Sequence, residues 1–557
     1  MRRLIAPIVL SLALSACATI PSAPVVAAPP PSAAAPSAPP RLVVAISVDQ
    51  FSGDSFAQYR QYFRHGLARL QQGAVFPSAY QGHAATETCP GHATLLTGAR
   101  PSRSGIIANN WFDPGIARAD KRVYCSEDTS DPASTSRNPV VSARHLKVPT
   151  LGERMKAADP ASRNVAVSAK DRAVVMMGGR AVDEAWWWKN GAFTTYAGRE
   201  IAPAAARANA AAAAAIAAGA PALALPDWCK AFDRAVPVGD QTIGTGRFAL
   251  TPGKAEEFRV SPRMDAATAD LAVALVDDMK LGQGPATDLL SVSLSASDYV
   301  GHAYGTEGTE MCIQMAELDA IIGNLLARLD ERGLDYLVVL SADHGGFDVP
   351  ERLNRQALPG AGRAAADLST SELARAITAR TGISVSGPLL YADGPFGDFY
   401  VTDALPSADK ARVVSALVGL LKGHPQVAAV FTAMELAEAP SPSGSPQEWS
   451  LKDRARASFD PARSGDVVVL LNRAVVPITR PSPGYTATHG SPWDYDRRVP
   501  LLFWRKGLPG FEQPAPVETV DIAPTLVAIL GLPVPEGAFD GRCLDIDGSA
   551  ANTCARP

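Results

Sequence analysis

Short apolar runs rich in branched residues recur along the chain, and each gives way at once to polar or charged residues. Leu42–Val48 ends at Asp49, and Leu289–Leu294 leads through Ser-Ala-Ser to Asp298. Tyr336–Leu340 leads through Ser-Ala to Asp343, and Val165–Val167 leads to Lys170 and Arg172. Strands that are apolar throughout belong to sheets covered on both faces. Between them, Ala266–Met279 and Cys312–Glu331 carry apolar residues near helical spacing. The pattern predicts an α/β fold with a mostly parallel central sheet sandwiched by helices. Ligands bind such sheets beyond the carboxyl ends of the strands, so the charged residues that close these runs are expected to share one site.

Composition narrows the picture. With 47% hydrophobic and 19% charged residues, the 557-residue chain can bury a large core, and its formal net charge of −4 shows no nucleic-acid footprint. Residues 1–17 read as an export signal: two arginines, an apolar run from Leu4 to Leu14, and small residues up to Cys17, too short for a membrane span. Leu14-Ser15-Ala16-Cys17 resembles a bacterial lipobox, in which Cys17 carries the lipid of an outer-membrane lipoprotein; ordinary cleavage nearby, giving a periplasmic or secreted product, fits as well. The Pro/Ala-rich stretch over 18–40 reads as a linker. Export makes the other six cysteines candidates for three bridges. Spacing alone allows fifteen pairings. The short loop favours Cys543–Cys554, and order along the chain then gives Cys89–Cys125 and Cys229–Cys312.

Two of the eight histidines stand beside a strand-terminal aspartate, as Asp298-Tyr-Val-Gly-His302 and Asp343-His344-Gly-Gly. The i, i+4 spacing of the first pair puts both side chains on one helical face. The adjacent second pair needs a sharp turn, which Gly345 and Gly346 permit. His489, in a small-residue loop, and Asp49 complete a set of three Asp and three His. Mixed nitrogen and oxygen donors suit zinc better than calcium or magnesium. Any one of these residues alone reads more simply as a strand-end cap or a core histidine; their recurrence at successive strand ends argues against that. A nucleophile is also on offer. The run from Pro90 looks helical, which sets Thr88 at a helix N-terminus, where free amides favour a bound phosphate. Capping the helix is the simpler role for a threonine there.

Together, Thr88-Cys89-Pro90-Gly91-His92, Gly105-Ile-Ile-Ala-Asn109-Asn110, Ser297-Asp298-Tyr-Val-Gly-His302, Ala342-Asp343-His344-Gly345 and Thr488-His489-Gly490 resemble the alkaline phosphatase superfamily. The likeness is to the bacterial threonine-nucleophile alkaline phosphatases of the PafA and PhoK type and to the nucleotide pyrophosphatase/phosphodiesterases. It implies two Zn2+ per chain, one on Asp298, His302 and His489, the other on Asp49, Asp343 and His344 with Thr88. It also implies a phosphothreonine at Thr88 and, at Asn109, a hydrogen-bond donor to a phosphoryl oxygen. The implied catalytic domain spans 41–550, with insertions near 180–285 and 350–464 and a tail over 551–557.

Lys170-Asp171-Arg172 bears on the subgroup. Residues i and i+2 leaving a strand face one way, so both cations are expected to meet the phosphate, and a dianionic monoester suits them better than a diester. The pair resembles the Lys-x-Arg of the phosphatases, which favours small-molecule phosphate monoesters as substrates and leaves diester cleavage as the alternative. A sulfatase is disfavoured, because threonine stands where its cysteine or serine would be. A non-catalytic phosphate- or metal-binding protein is disfavoured by the intact set. Asp540–Asp547 has acidic spacing for an additional Ca2+ but departs from the full EF-hand pattern and reads as a disulfide-bonded tail loop. Trp186-Trp187-Trp188 and an alanine-rich helix over Ala204–Ala218 suggest an insertion packed near the site, although large aromatics more often serve the core.

Overall fold

The computed structural model describes residues 38–548 and 552–555; the export signal, Cys17, most of the 18–40 linker and part of the tail lie outside these. Among the described residues ten strands form the main sheet. In chain order they are β1 (Leu42–Val48), β2 (Ala74–Tyr80), β3 (Asn164–Ser168), β4 (Glu184–Lys189), β5 (Ala192–Thr194), β6 (Asp288–Leu294), β7 (Tyr336–Ser341), β8 (Arg498–Arg505), β9 (Phe511–Glu512) and β10 (Val517–Glu518). The spatial order is β9-β2-β8-β7-β1-β6-β3-β4-β5, with β10 on β2. From β7 through β1, β6 and β3 to β4 every pairing is parallel; β8 and β5 run antiparallel to their neighbours in this block.

Every residue of β1, β6 and β7 is buried, as continuous apolar strands require. Helices over Pro203–Ala218, Pro262–Met279 and Thr309–Glu331 pack as one group, and those over Thr88–Thr97, Asp171–Gly178 and Ile522–Leu530 as another. Register aligns the strand ends: Val48 faces Leu294, Ser47 faces Ser341, and Ser293 faces Ser168. That alignment brings Asp49, Lys170, Asp298 and Asp343 to one rim.

Two segments add detail that the sequence left open. The three tryptophans belong to β4, which extends the main sheet, and Trp188 stacks on Phe258 in the core, so they pack the sheet edge and do not line the cleft. Within the later insertion, strands Leu390–Tyr391, Gly397–Val401, Val427–Thr432 and Val467–Leu471 form a separate four-stranded sheet. With the helices Thr370–Thr381 and Ser407–Lys422 it encloses its own core, including Ile377, Phe399, Leu417 and Val469. The last of these strands lies past residue 464. The three disulfides are Cys89–Cys125, Cys229–Cys312 and Cys543–Cys554. Among the described residues no helix is long and apolar enough to cross a membrane.

Candidate active site

Asp49 follows β1 directly and is fully buried; Gln50, with φ of 63°, turns the chain there. The loop after β6 enters the helix Ala296–Tyr304, so Asp298 and His302 share a face, as their spacing predicts. After β7 come Asp343 and His344. Here glycine serves close approach and not a left-handed turn: a Cβ on Gly345 would lie 2.2 Å from the Tyr495 carbonyl oxygen. His489 arrives on the loop before β8.

These six residues gather as two groups, Asp298 with His302 and His489, and Asp49 with Asp343 and His344. Within each group the donor atoms all lie within 4.8 Å of one another. In the first, Asp298 Oδ1 is 3.3 Å from His302 Nε2 and 3.5 Å from His489 Nε2. In the second, His344 Nε2 is 3.5 Å from Asp49 Oδ1 and 3.3 Å from Asp343 Oδ2. Each histidine directs Nδ1 to a backbone carbonyl: His302 to Ala487, His489 to Thr86 and His344 to Gly345, at 2.7–2.8 Å. Those bonds fix the tautomer and leave Nε2 as a lone-pair donor. The groups abut, with the His344 and His489 rings stacked 3.6 Å apart.

The donors fit a bound cation. Asp49 Oδ1 and His344 Nε2 are buried with no hydrogen bond, and such atoms are costly to leave unpaired. Burial, then the neighbouring Asp343, pushes the Asp49 carboxyl well above its usual range. Burial would also raise Asp298, but His302 and Lys170 outweigh it and hold that carboxyl well below its usual range. Burial lowers His344 to about 3, so the ring is neutral and able to ligate.

Thr88 is the first residue of the helix Thr88–Thr97 and is fully buried. The helix packs tightly on the second group: a Cβ on Gly91 would lie 2.0 Å from the Asp343 carbonyl oxygen. Lys170 Nζ reaches Thr88 Oγ1 at 3.4 Å, and an Arg172 guanidinium nitrogen reaches it at 3.5 Å. The route differs from the expected strand alternation. β3 ends at Ser168, Lys170 is the residue just before the helix Asp171–Gly178, and Arg172 lies in its first turn. Lys170 Nζ also lies 2.5 Å from both Asp49 Oδ2 and Asp298 Oδ2, spanning the two groups. Burial disfavours its charge, but those two carboxylates more than restore it and raise its pKa. Asn109 accepts from the Cys89 amide through its side-chain oxygen at 2.8 Å, which leaves its NH2 for a ligand. Asn110 instead bonds Asp393 at 2.9 Å.

Three supporting residues escaped the sequence reading. His92 sets one ring nitrogen against the Thr88 carbonyl at 2.9 Å and Asp343 Oδ2 at 3.1 Å, and the other against Ser293 Oγ. Gln50 donates through its backbone to Asp343 and through its side chain to Asp298. Glu87 accepts the Asn109 backbone N–H at 2.7 Å. His92 alone carried a signal, lying one helical turn after Thr88. A cleft of about 250 Å³ opens beside Asn109, Arg172, His302 and His489, and the separate four-stranded unit contributes Phe396 and Asp398 to its wall.

Comparison with known proteins agrees with this geometry. A family described as type I phosphodiesterase / nucleotide pyrophosphatase matches residues 43–492. The chain is 51% identical over 520 residues to alkaline phosphatase PhoK of a Sphingomonas species, covering 93% of each chain. It is 50% identical over 516 residues to alkaline phosphatase PhoD of Zymomonas mobilis subsp. mobilis, covering 92% of this chain and 89% of that one. The crystal structure of the wild-type alkaline phosphatase PafA superposes with a TM-score of 0.80 at 26% identity, over 92% of this chain and 99% of that one. With the fold, the rim of Asp and His residues and these matches in agreement, the chain belongs to the type I phosphodiesterase/nucleotide pyrophosphatase family, among relatives that are bacterial alkaline phosphatases.

Proposed function

We propose that the protein is an exported alkaline phosphatase that hydrolyses phosphate monoesters through a phosphothreonine at Thr88, with two zinc ions. The observation that carries the reading is the convergence of Lys170 and Arg172 on the Thr88 hydroxyl, between two buried Asp/His groups. Asp298, His302 and His489 would hold one ion, and Asp49, Asp343 and His344 the other with Thr88. The chemistry such ions supply is Lewis acidity, which lowers the pKa of a hydroxyl and offsets charge developing on phosphoryl oxygens.

Thr88 Oγ1 attacks phosphorus in line. The bond to the ester oxygen breaks, the alcohol departs, and phosphothreonine remains. Water then attacks phosphorus, releases inorganic phosphate and returns Thr88. Lys170, Arg172 and the Asn109 NH2 bind non-bridging oxygens through both steps, and the positive end of the Thr88–Thr97 helix favours the same anion. A dianionic monoester offers these donors more charge than a diester, so monoesters are the main substrates. The family match keeps diester cleavage as a second, slower activity. The export signal over 1–17 accords with three disulfides, which persist in oxidising compartments. The catalytic domain spans 41–550, and the region over 350–464, which lines the cleft, shapes substrate choice.

The test is hydrolysis of an aryl phosphate by chelator-stripped protein reloaded with single metals, beside Thr88→Ala and Thr88→Ser. Zinc restores turnover, Thr88→Ala abolishes it, and Thr88→Ser keeps a fraction. Full activity in Thr88→Ala would rule out the covalent route.

A further inference from the structure

The segment from Asn109 to Cys125 lies outside the main sheet. Its strands, Asn110–Phe112 and Arg122–Tyr124, pair with each other in a two-stranded sheet of their own. Its ties converge on the reacting threonine. At one end Asn109 is bonded three ways. Its backbone N–H donates to Glu87 at 2.7 Å, its side-chain oxygen accepts from the Cys89 N–H at 2.8 Å, and its backbone oxygen accepts from the Cys125 N–H at 2.9 Å. Glu87 and Cys89 flank Thr88, and Cys125 is covalently joined to Cys89. At the same end, one residue before Cys125, the Tyr124 hydroxyl donates to Asp171 Oδ1 at 2.6 Å, and the same oxygen accepts the Arg172 N–H at 2.7 Å. Asp171 sits between the two cations.

We propose that the Cys89–Cys125 bridge and Tyr124 are positioning residues, which make this hairpin a rigid frame registering the Asn109 amide and the Arg172 guanidinium over Thr88. The proposal rests on the reading that Asn109 and Arg172 bind the phosphoryl group. The physical reason is geometric. Phosphoryl transfer leaves little for the protein beyond placement and charge, so donors on separate elements must hold a common geometry. Two short strands with no third partner cannot hold register by themselves. Both ties act at the open end of the hairpin: the bridge fixes it to the nucleophile helix, and the neighbouring tyrosine fixes it to the cation-bearing helix. Cys229–Cys312, which joins the 3-10 turn Asp227–Phe232 to the helix Thr309–Glu331, serves as a control for general stabilisation.

The experiment measures kcat/KM for an aryl phosphate monoester with zinc-loaded protein. Cys89→Ala/Cys125→Ala and Tyr124→Phe are each made in the wild type, Asn109→Ala and Arg172→Ala backgrounds. Expected losses in the wild type are roughly 10–100-fold for the bridge variant and about 5–10-fold for Tyr124→Phe, since small misplacements in such sites are costly. Coupling predicts that the bridge loss shrinks below about 3-fold once Asn109 is absent, and the Tyr124 loss likewise once Arg172 is absent. Cys229→Ala/Cys312→Ala lowers the melting temperature and leaves kcat/KM within about 2-fold. Undiminished losses in those backgrounds overturn the proposal, because a merely structural bridge acts independently of Asn109. Silent Asn109→Ala and Arg172→Ala variants instead refute the phosphoryl-binding reading itself and the proposal with it. Should the bridge variant not fold, the Tyr124→Phe pair of measurements decides.

Discussion

Removing both cations, in Lys170→Ala/Arg172→Ala, should cost a monoester far more than a diester. Each cation stands 3.4–3.5 Å from the Thr88 oxygen, within reach of non-bridging oxygens on a phosphoryl group attached there. A hydrogen bond to a charged group contributes ~1.5–3 kcal/mol, so two contribute ~3–6 kcal/mol, roughly a 10²–10⁴-fold loss in kcat/KM. A diester carries one charge fewer, and its second ester oxygen is a poorer acceptor, so its loss should stay at about 10-fold to 100-fold. The assay is steady-state hydrolysis of an aryl monoester and the matching diester, with zinc content measured on each variant. That measurement is needed because Lys170 also spans Asp49 and Asp298. Arg172→Ala alone isolates the clamp, since it leaves that contact intact. Equal losses for the two substrates, or losses that track missing metal, would refute the argument that the pair reads the dianion.

Two further outcomes follow from the geometry. Asp265 is fully buried, accepts from Ala296 and Gln314, and is pushed up to about 7 by burial. An unfolded aspartate titrates near ~4, so between about pH 4 and 7 the unfolded chain has released a proton that the fold retains, and stability falls as pH rises through that window. In chelator-treated protein, urea unfolding should show Asp265→Asn gaining ~2–3 kcal/mol on the wild type between pH 5 and pH 8; a constant difference would exclude burial as the cause. Phe396 walls the cleft with its ring against Gly490, and Phe396→Ala should raise KM for an aryl phosphate about 5–20-fold, the equivalent of ~1–2 kcal/mol of lost apolar contact, with kcat nearly unchanged. A fall in kcat at constant KM would assign the ring to the reacting centre and not to the leaving group.

Much of the frame was legible in the sequence because its signals are local. Strands apolar at every position announce a covered sheet, and an aspartate after each marks the rim. The Asp298/His302 spacing works because that loop enters a helix at once. Where reasoning turned on distant neighbours it gave the right grouping for the wrong cause, or missed the residue. Lys170 and Arg172 meet at Thr88 through a helix start, which no pattern of alternation encodes. Gly345 is needed because Tyr495 passes close by, a contact between segments far apart in the chain. Gln50 and Glu87 act only through partners that folding brings to them. The tryptophans followed the general expectation that large aromatics serve the core: they lie on a strand of the main sheet, between two neighbouring strands.

The two donor groups draw on Asp49 near one end of the described chain and His489 near the other, with β8, next to the parallel block, following the last ligand. No partial product of folding can therefore assemble both. A chain halted before the His489 loop docks could bring Asp49, Asp343 and His344 together on the parallel block but would leave Asp298 and His302 without their third partner, whereas the finished fold offers both sets at once. The complete pair of sets is in that sense a record of the whole topology: only a molecule in which the chain from Asp49 to His489 has found its place presents both.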